Sequence, residues 1–241
     1  MKRAIIMGAS SGMGREVSEI LLADGWRIGV AARNTDALEN VKAISPKMVE
    51  TQQIDVTSDD APQRLLSLID LLGGIDLYFH ASGIGWQNAK LDIAIELRTV
   101  GTNVLGFTRM VDTIFNYMAE NGGGQIAVIS SIAGTKGLGP APSYSATKAF
   151  QNTYIQSLEQ LSNSRHLNIS FTDIRPGFVN TALLAGGHYP MLMDKNKVAH
   201  EIVRAVYCRK HICIIDWRYR VMTLFWRLIP NRIWRRINLI R

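Results

Sequence analysis

The sequence predicts an α/β fold, a single doubly wound domain whose seven-stranded, mostly parallel sheet carries helices on both faces. Three observations carry that prediction. Short, near-continuous apolar runs alternate with longer stretches of helical periodicity, the pattern of strands buried on both faces and joined by crossover helices. A glycine-rich turn follows the first apolar run directly and opens a helix. With 241 residues, 47% of them hydrophobic and 20% charged, the chain is long enough for one sizeable core and far too apolar for disorder.

The elements follow in order. Residues 4–7 read as the first strand, and Val17, Ile20 and Leu21 give the helical period that follows Gly14. Residues 27–32 are the second strand, and the more polar 49–54 a strand nearer an edge. Leu65, Leu66, Ile69 and Leu72 mark the next helix, and 75–79 the next strand. Residues 92–120 and 143–161 read as long helices on either side of a strand at 125–130. A strand at 168–174, a helix carrying Val198, Ile202, Val203 and Val206, and a strand at 212–215 complete the series. Right-handed crossovers are expected throughout. No repeat, low-complexity stretch or linker interrupts residues 1–216, which we read as one domain, with 217–241 as a distinct tail.

Charge sharpens that division. Lys and Arg number 27 against 20 acidic residues, a formal net charge of +7. The tail holds seven Arg, no Lys and no acid, so residues 1–216 carry 20 of each sign. The basic balance is therefore local and argues against a nucleic-acid surface. Two cysteines, Cys208 and Cys213, make no disulfide framework, and no His/Cys cluster suggests a metal site. The apolar run at the N-terminus is too short for a signal-peptide core, and no stretch is long enough to span a bilayer. A reducing, cytoplasmic location is expected.

The turn reads Gly8-Ala9-Ser10-Ser11-Gly12-Met13-Gly14. Glycines at a strand–helix junction let backbone approach a pyrophosphate, whose charge the helix N-terminus favours. The second strand's end then meets the adenosine ribose, where an acid suits a 2′-hydroxyl and an Arg a 2′-phosphate. Arg33 stands there, nineteen positions after Gly14, and Ser10 adds a hydroxyl, so the charge logic favours NADP(H) over NAD(H). In the rival reading Arg33 is a solvated turn residue and Asp36 takes the ribose, although Asp36 sits where a helix start wants an acid.

Tyr144 and Lys148 lie four apart in a predicted helix and share a face. A phenol titrates near ~10 and is a poor acid–base at neutral pH. A neighbouring ammonium stabilises the phenolate, which proton exchange with an alcohol or ketone requires. Ser131, at the end of the 125–130 strand and thirteen residues before Tyr144, is placed to hold a substrate carbonyl oxygen.

Together these motifs resemble the classical short-chain dehydrogenase/reductase family over residues 2–216. Asp55-Val56 resembles the pair whose acid meets the adenine ring, and Pro176-Gly177 with Val179 and Thr181 the segment against the nicotinamide carboxamide and pyrophosphate. Asn103 falls 28 residues before Ser131, as in the family's Asn-Ser-Tyr-Lys tetrad. The family's Asn-Asn-Ala-Gly is here His80-Ala81-Ser82-Gly83, which keeps Gly83 for close approach of the cofactor beside Ala81. His80 reads as a buried, satisfied histidine, with a proton relay as the alternative.

The resemblance implies an NAD(P)-dependent oxidoreductase acting on a small carbonyl or alcohol, and a homodimer or homotetramer. In it Ser131 and Tyr144 hold the carbonyl, Lys148 lowers the Tyr144 pKa and binds ribose, and Asn103 supports a water that restores the proton. The segment 182–193 corresponds to the family's substrate flap. Gly186-Gly187 would hinge it, and Leu184, Met191, Leu192 and Met193 would line it with no Arg or Lys among them, which favours a hydrophobic, lipid-like substrate. In the tail Trp217, Val221, Leu224, Phe225 and Leu228 recur at helical spacing, Pro230 interrupts, and Ile233, Trp234, Ile237 and Ile240 continue beside arginines. Such a tail suits either an anionic membrane surface or packing on protein. The alternatives to an enzyme are a nucleotide-binding scaffold and a membrane-surface adaptor with little turnover.

Overall fold

The computed structural model describes residues 1–184 and 189–238. Seven parallel strands form one sheet: β1 (Arg3–Met7), β2 (Arg27–Ala32), β3 (Val49–Gln53), β4 (Leu77–His80), β5 (Gly124–Ile129), β6 (Ile169–Arg175) and β7 (Ile212–Ile214). Their order across the sheet is β3-β2-β1-β4-β5-β6-β7. The polar run 49–54 is indeed an edge strand. The chain winds outward in both directions from β1 and β4, paired from Ala4–Leu77 to Met7–His80, and the crevice beyond their C-terminal ends is where such sheets bind ligands.

Alternation along β1 shows how the two faces are covered. Ala4 and Ile6 point into the layer under α1 (Gly12–Ala23) and α7 (Lys195–Tyr207), with Val17, Leu21 and Ile202. Ile5 and Met7 point into the opposite layer with Leu65 and Ile69 of α3 (Ala61–Leu72), Phe107 of α5 (Phe107–Glu120) and Ile155 of α6 (Pro142–Ser164). The predicted helix over 92–120 is interrupted. α4 (Ile93–Val100) passes into α5 through a π-helical segment, Gly101–Gly106, which contains Asn103. Between β2 and β3 lies α2 (Thr35–Lys42).

The tail forms α8 (Trp217–Leu228) and a single turn, α9 (Asn231–Trp234), begun at Pro230. The boundary that charge suggests at 216/217 does not coincide with one in packing. Tyr219 is completely buried in the α1/α7 layer, and its hydroxyl bridges the Phe178 amide and the Pro190 and Met191 carbonyls at 3.0–3.1 Å. A strongly basic segment thus supplies a core aromatic. The expected Gly186–Gly187 hinge and tail positions Ile240 and Arg241 lie outside the described residues.

Candidate active site

At the sheet's switch point the glycine turn meets the loop after β4. A Cβ on Gly14 would stand 2.3 Å from the Gly8 carbonyl oxygen, and one on Gly8 would stand 2.7 Å from the Ser82 nitrogen. Gly8 also has φ +93°, a conformation costly to any residue with a Cβ. The Ser11 side chain, at the start of α1, makes no capping bond, so the first N–H groups of the helix stay available to an anion.

A cleft of about 280 Å³ opens here, lined among others by Gly8, Ser10, Ser11, Arg33, Asp55, Val56, Ala81 and Gly83. The remaining predicted cofactor positions are outside this lining. Met13 packs against the core, and Val179 is buried in it. Thr181 stands over the turn, its methyl 3.6 Å from where a Gly12 Cβ would be. The Pro176 carbonyl accepts the Ile132 N–H at 3.2 Å. Gly177 lies under the Tyr219 ring, which a Cβ would meet at 2.2 Å.

Arg33 is exposed at the end of β2, with its carbonyl held by Gln53 Nε2 at 3.0 Å. Its guanidinium has no hydrogen bond or ion pair among the described residues. Asn34 caps α2 by accepting the Ala37 N–H at 3.1 Å, leaving Asp36 in that helix's first turn. Arg33 and Asn34 line the cleft, whereas Asp36 does not. Partial burial opposes ionisation of Asp55, but two hydrogen bonds from Thr57 and the Arg33 charge outweigh it and hold the carboxyl below its ordinary range.

Ser131, Tyr144 and Lys148 come together beyond β5. Ser131 precedes a 3-10 turn, Ile132–Thr135, and its Oγ accepts the Ala133 N–H at 3.1 Å, which fixes the hydroxyl. Tyr144 lies in the first turn of α6, beside Ser131. Burial raises its pKa, and the Ser131 side chain only partly offsets this. The Lys148 ammonium lies 5.8 Å from the centre of the phenol ring and is bound to the Ile129 carbonyl at 3.1 Å and Gln151 Oε1 at 2.9 Å. Burial pulls Lys148 down to about 8, against the pull of the buried Asp173 carboxylate.

The family model for short chain dehydrogenases matches residues 2–187. The chain belongs to the short-chain dehydrogenase/reductase family. An uncharacterized oxidoreductase of Myxococcus xanthus is 31% identical over 238 residues, 95% of this chain and 93% of that one. Among solved structures, an alcohol dehydrogenase from Thermococcus sibiricus complexed with 5-hydroxy-NADP has a TM-score of 0.79 at 22% identity, covering 91% of this chain and 97% of that one. An actinorhodin polyketide ketoreductase with NADPH has a TM-score of 0.77 at 22% identity, covering 89% and 95%. These likenesses show the Rossmann-type fold, and the family makes the chain an oxidoreductase acting on CH–OH/C=O groups.

Two residues of this dehydrogenase's site, Gln151 and Gly85, stand in none of its motifs. Gln151 is completely buried and bridges the tetrad positions, its Nε2 donating to the Asn103 carbonyl at 3.0 Å while its Oε1 takes the Lys148 ammonium. The backbone carbonyl of Asn103, the residue expected to support a water, is thus engaged by a side chain. The Asn103 amide is occupied as well, exchanging bonds of 2.9 and 2.7 Å with the Ile84 backbone. Gly85 presses on the phenol, since a Cβ there would stand 2.2 Å from a Tyr144 ring carbon. His80 is buried and neutral: burial, with the Lys148 charge, pulls it down to about 3, against a smaller contribution from the Ser82 backbone. Its Nδ1 pairs with the Tyr78 hydroxyl at 2.9 Å, and its Nε2 completes no hydrogen bond among the described residues. A relay through a ring so hard to protonate is disfavoured.

Proposed function

We propose that the protein transfers hydride between NADP(H) and a hydrophobic ketone or aldehyde, or the corresponding alcohol. The single observation that carries this reading is the grouping of Ser131, Tyr144 and a buried Lys148 beside Gly83, which lines the glycine-floored cleft. The residues fit a dinucleotide. The Gly8–Gly14 approach leaves no room for side chains where a pyrophosphate would lie, and Arg33 offers an unpaired guanidinium to a 2′-phosphate. When bound, the nicotinamide supplies or accepts the hydride.

The chain's own residues do the rest. Ser131 and Tyr144 converge on one carbonyl oxygen, and Tyr144 gives it the proton on reduction. A phenol with a raised pKa is protonated at neutral pH, the form that donates to a carbonyl oxygen. Lys148 lies beside Gly83, where it binds ribose, and Gln151 fixes the ammonium against the Asn103 backbone. Replacing Gln151 by Leu is expected to lower kcat for carbonyl reduction about tenfold, the scale of one hydrogen bond to a charged group. It should also shift the alkaline limb of the kcat/KM profile down from about 8, to which burial draws Lys148, whereas Gln151→Glu should move that limb upward. A merely structural role would lower Tm in both variants and leave the limb in place.

An apolar substrate is supported by Ile84 in the cleft wall and by exposed Leu192. The flap contributes less lining than its sequence suggests, because Met193 is buried and Met191 packs against the core. Exposed Ile93, Leu97 and Val100, spaced for one face of α4, support a homo-oligomeric contact there. The reading is tested by NADPH and NADH oxidation against matched panels of long-chain and small soluble carbonyls. Turnover with NADPH on the long-chain panel is the expected result; turnover confined to small carbonyls would overturn the hydrophobic assignment, and NADH preference the cofactor assignment.

A further inference from the structure

The tail helix turns its apolar stripe away from the protein. Trp217, Val221, Leu224, Phe225 and Leu228 follow at i, i+4, i+7, i+8 and i+11, one face of α8. They are 70%, 45%, 58%, 61% and 69% exposed. The opposite face anchors the helix: Tyr219 and Thr223 are buried, and the Trp226 ring packs tilted against Trp234 with centroids 5.4 Å apart. The anchoring continues past Pro230, where Lys136 binds the Ile229 carbonyl at 3.1 Å and Asn231 Oδ1 at 2.7 Å, and the Trp234 indole donates to the Gly137 carbonyl at 2.8 Å. The stripe is therefore presented outward by a helix that is itself fixed.

Charge decides what the stripe meets. On a helix of 3.6 residues per turn, Arg218 flanks one edge of the stripe and Arg220 and Arg227 the other. Residues 217–241 contain seven Arg and no acid. Arg218 is paired with Asp216, and Arg220 holds the Ile214 carbonyl, while Arg227 has no partner among the described residues. Twofold pairing of two such stripes would bring arginines together without an acid on the segment to receive them. An anionic lipid surface satisfies both features at once, with apolar side chains and the Trp217 indole at the acyl boundary and guanidinium groups at the phosphates. No helix among the described residues is long and apolar enough to cross a membrane. We propose that α8 and α9 form a docking surface on which the protein lies on an anionic phospholipid bilayer, whatever carbonyl it reduces.

The test is flotation of the full-length protein with phosphatidylcholine vesicles and with vesicles of phosphatidylcholine and phosphatidylglycerol in equal parts. Binding to the mixed vesicles only, weakening as salt is raised, is the expected result. Arg227→Gln should reduce partitioning about fivefold, the scale of one cation near an anionic surface. The double change Leu224→Ser, Phe225→Ser should abolish it while leaving Tm and turnover of a soluble carbonyl in place, since both side chains lie in solvent. Failure of the wild type to float with the mixed vesicles would overturn the proposal. So would equal flotation with both lipids, binding retained in the double variant, or a sedimenting dimer without lipid binding that this variant dissolves.

Discussion

Tyr144→Phe is expected to retain NADPH binding and lose about 10²–10⁴-fold of turnover, the worth of positioned acid–base catalysis. The substitution removes one oxygen and keeps the ring that packs against Gly85, so the fold should survive. The cleft residues near the adenosine end, Arg33, Asp55 and Val56, are untouched, which is why binding and turnover should separate. Ser131 remains as a donor and accounts for whatever rate persists. The pH dependence carries a second expectation. Burial holds the Tyr144 phenol above its ordinary value, so reduction should be flat through neutrality. Alcohol oxidation, which needs the phenolate, should climb as pH rises. Steady-state kcat in both directions, with cofactor affinity from fluorescence titration, reads all of this. Activity within an order of magnitude of wild type would place proton donation elsewhere.

The sheet was legible because a buried parallel strand needs apolar side chains on both faces. The runs around Ile5, Val30, Phe79, Val128 and Phe171 therefore announce themselves. The break at Gly101–Gly106 was not, because a π-helical turn keeps helical composition and alters only the backbone hydrogen-bond step. The candidate site divides in the same way. Gly8 and Gly14 stand at a fixed spacing across the β1–α1 turn, as Tyr144 and Lys148 do within α6, and the local rules of turns and helices place each pair. Gln151 lies one turn past Lys148 on α6, so its meeting with Lys148 was predictable from i, i+3 spacing. Its bond to the Asn103 carbonyl was not, since that depends on how α6 packs against the π-helical segment, 48 residues away in sequence. Tyr219 was hidden for a different reason. Arginines flank it on both sides in sequence, whereas the helix turns it toward Phe178 and the buried layer.

Arg33→Ala is expected to weaken NADPH about 10–100-fold and leave NADH nearly unchanged. A hydrogen bond to a charged group is worth about 1.5–3 kcal/mol, and each ~1.4 kcal/mol is tenfold in affinity. Arg33 is suited to so clean a result because its guanidinium is exposed and engages no described residue, so truncating it should cost the fold little. One side effect follows from the Asp55 environment. The Arg33 charge helps hold that carboxyl low, so its loss should let Asp55 titrate nearer its ordinary value. Above that value Asp55 stays ionised, and assays near neutrality should report the phosphate contact alone. The rival assignment predicts the reverse pattern. Were Asp36 the ribose partner, Asp36→Asn would weaken NADH and Arg33→Ala would change neither cofactor. Asp36 lies in the first turn of α2 behind the Asn34 cap and away from the cleft, where its charge complements the helix end. Replacing it should therefore cost some stability and leave both cofactor affinities where they were.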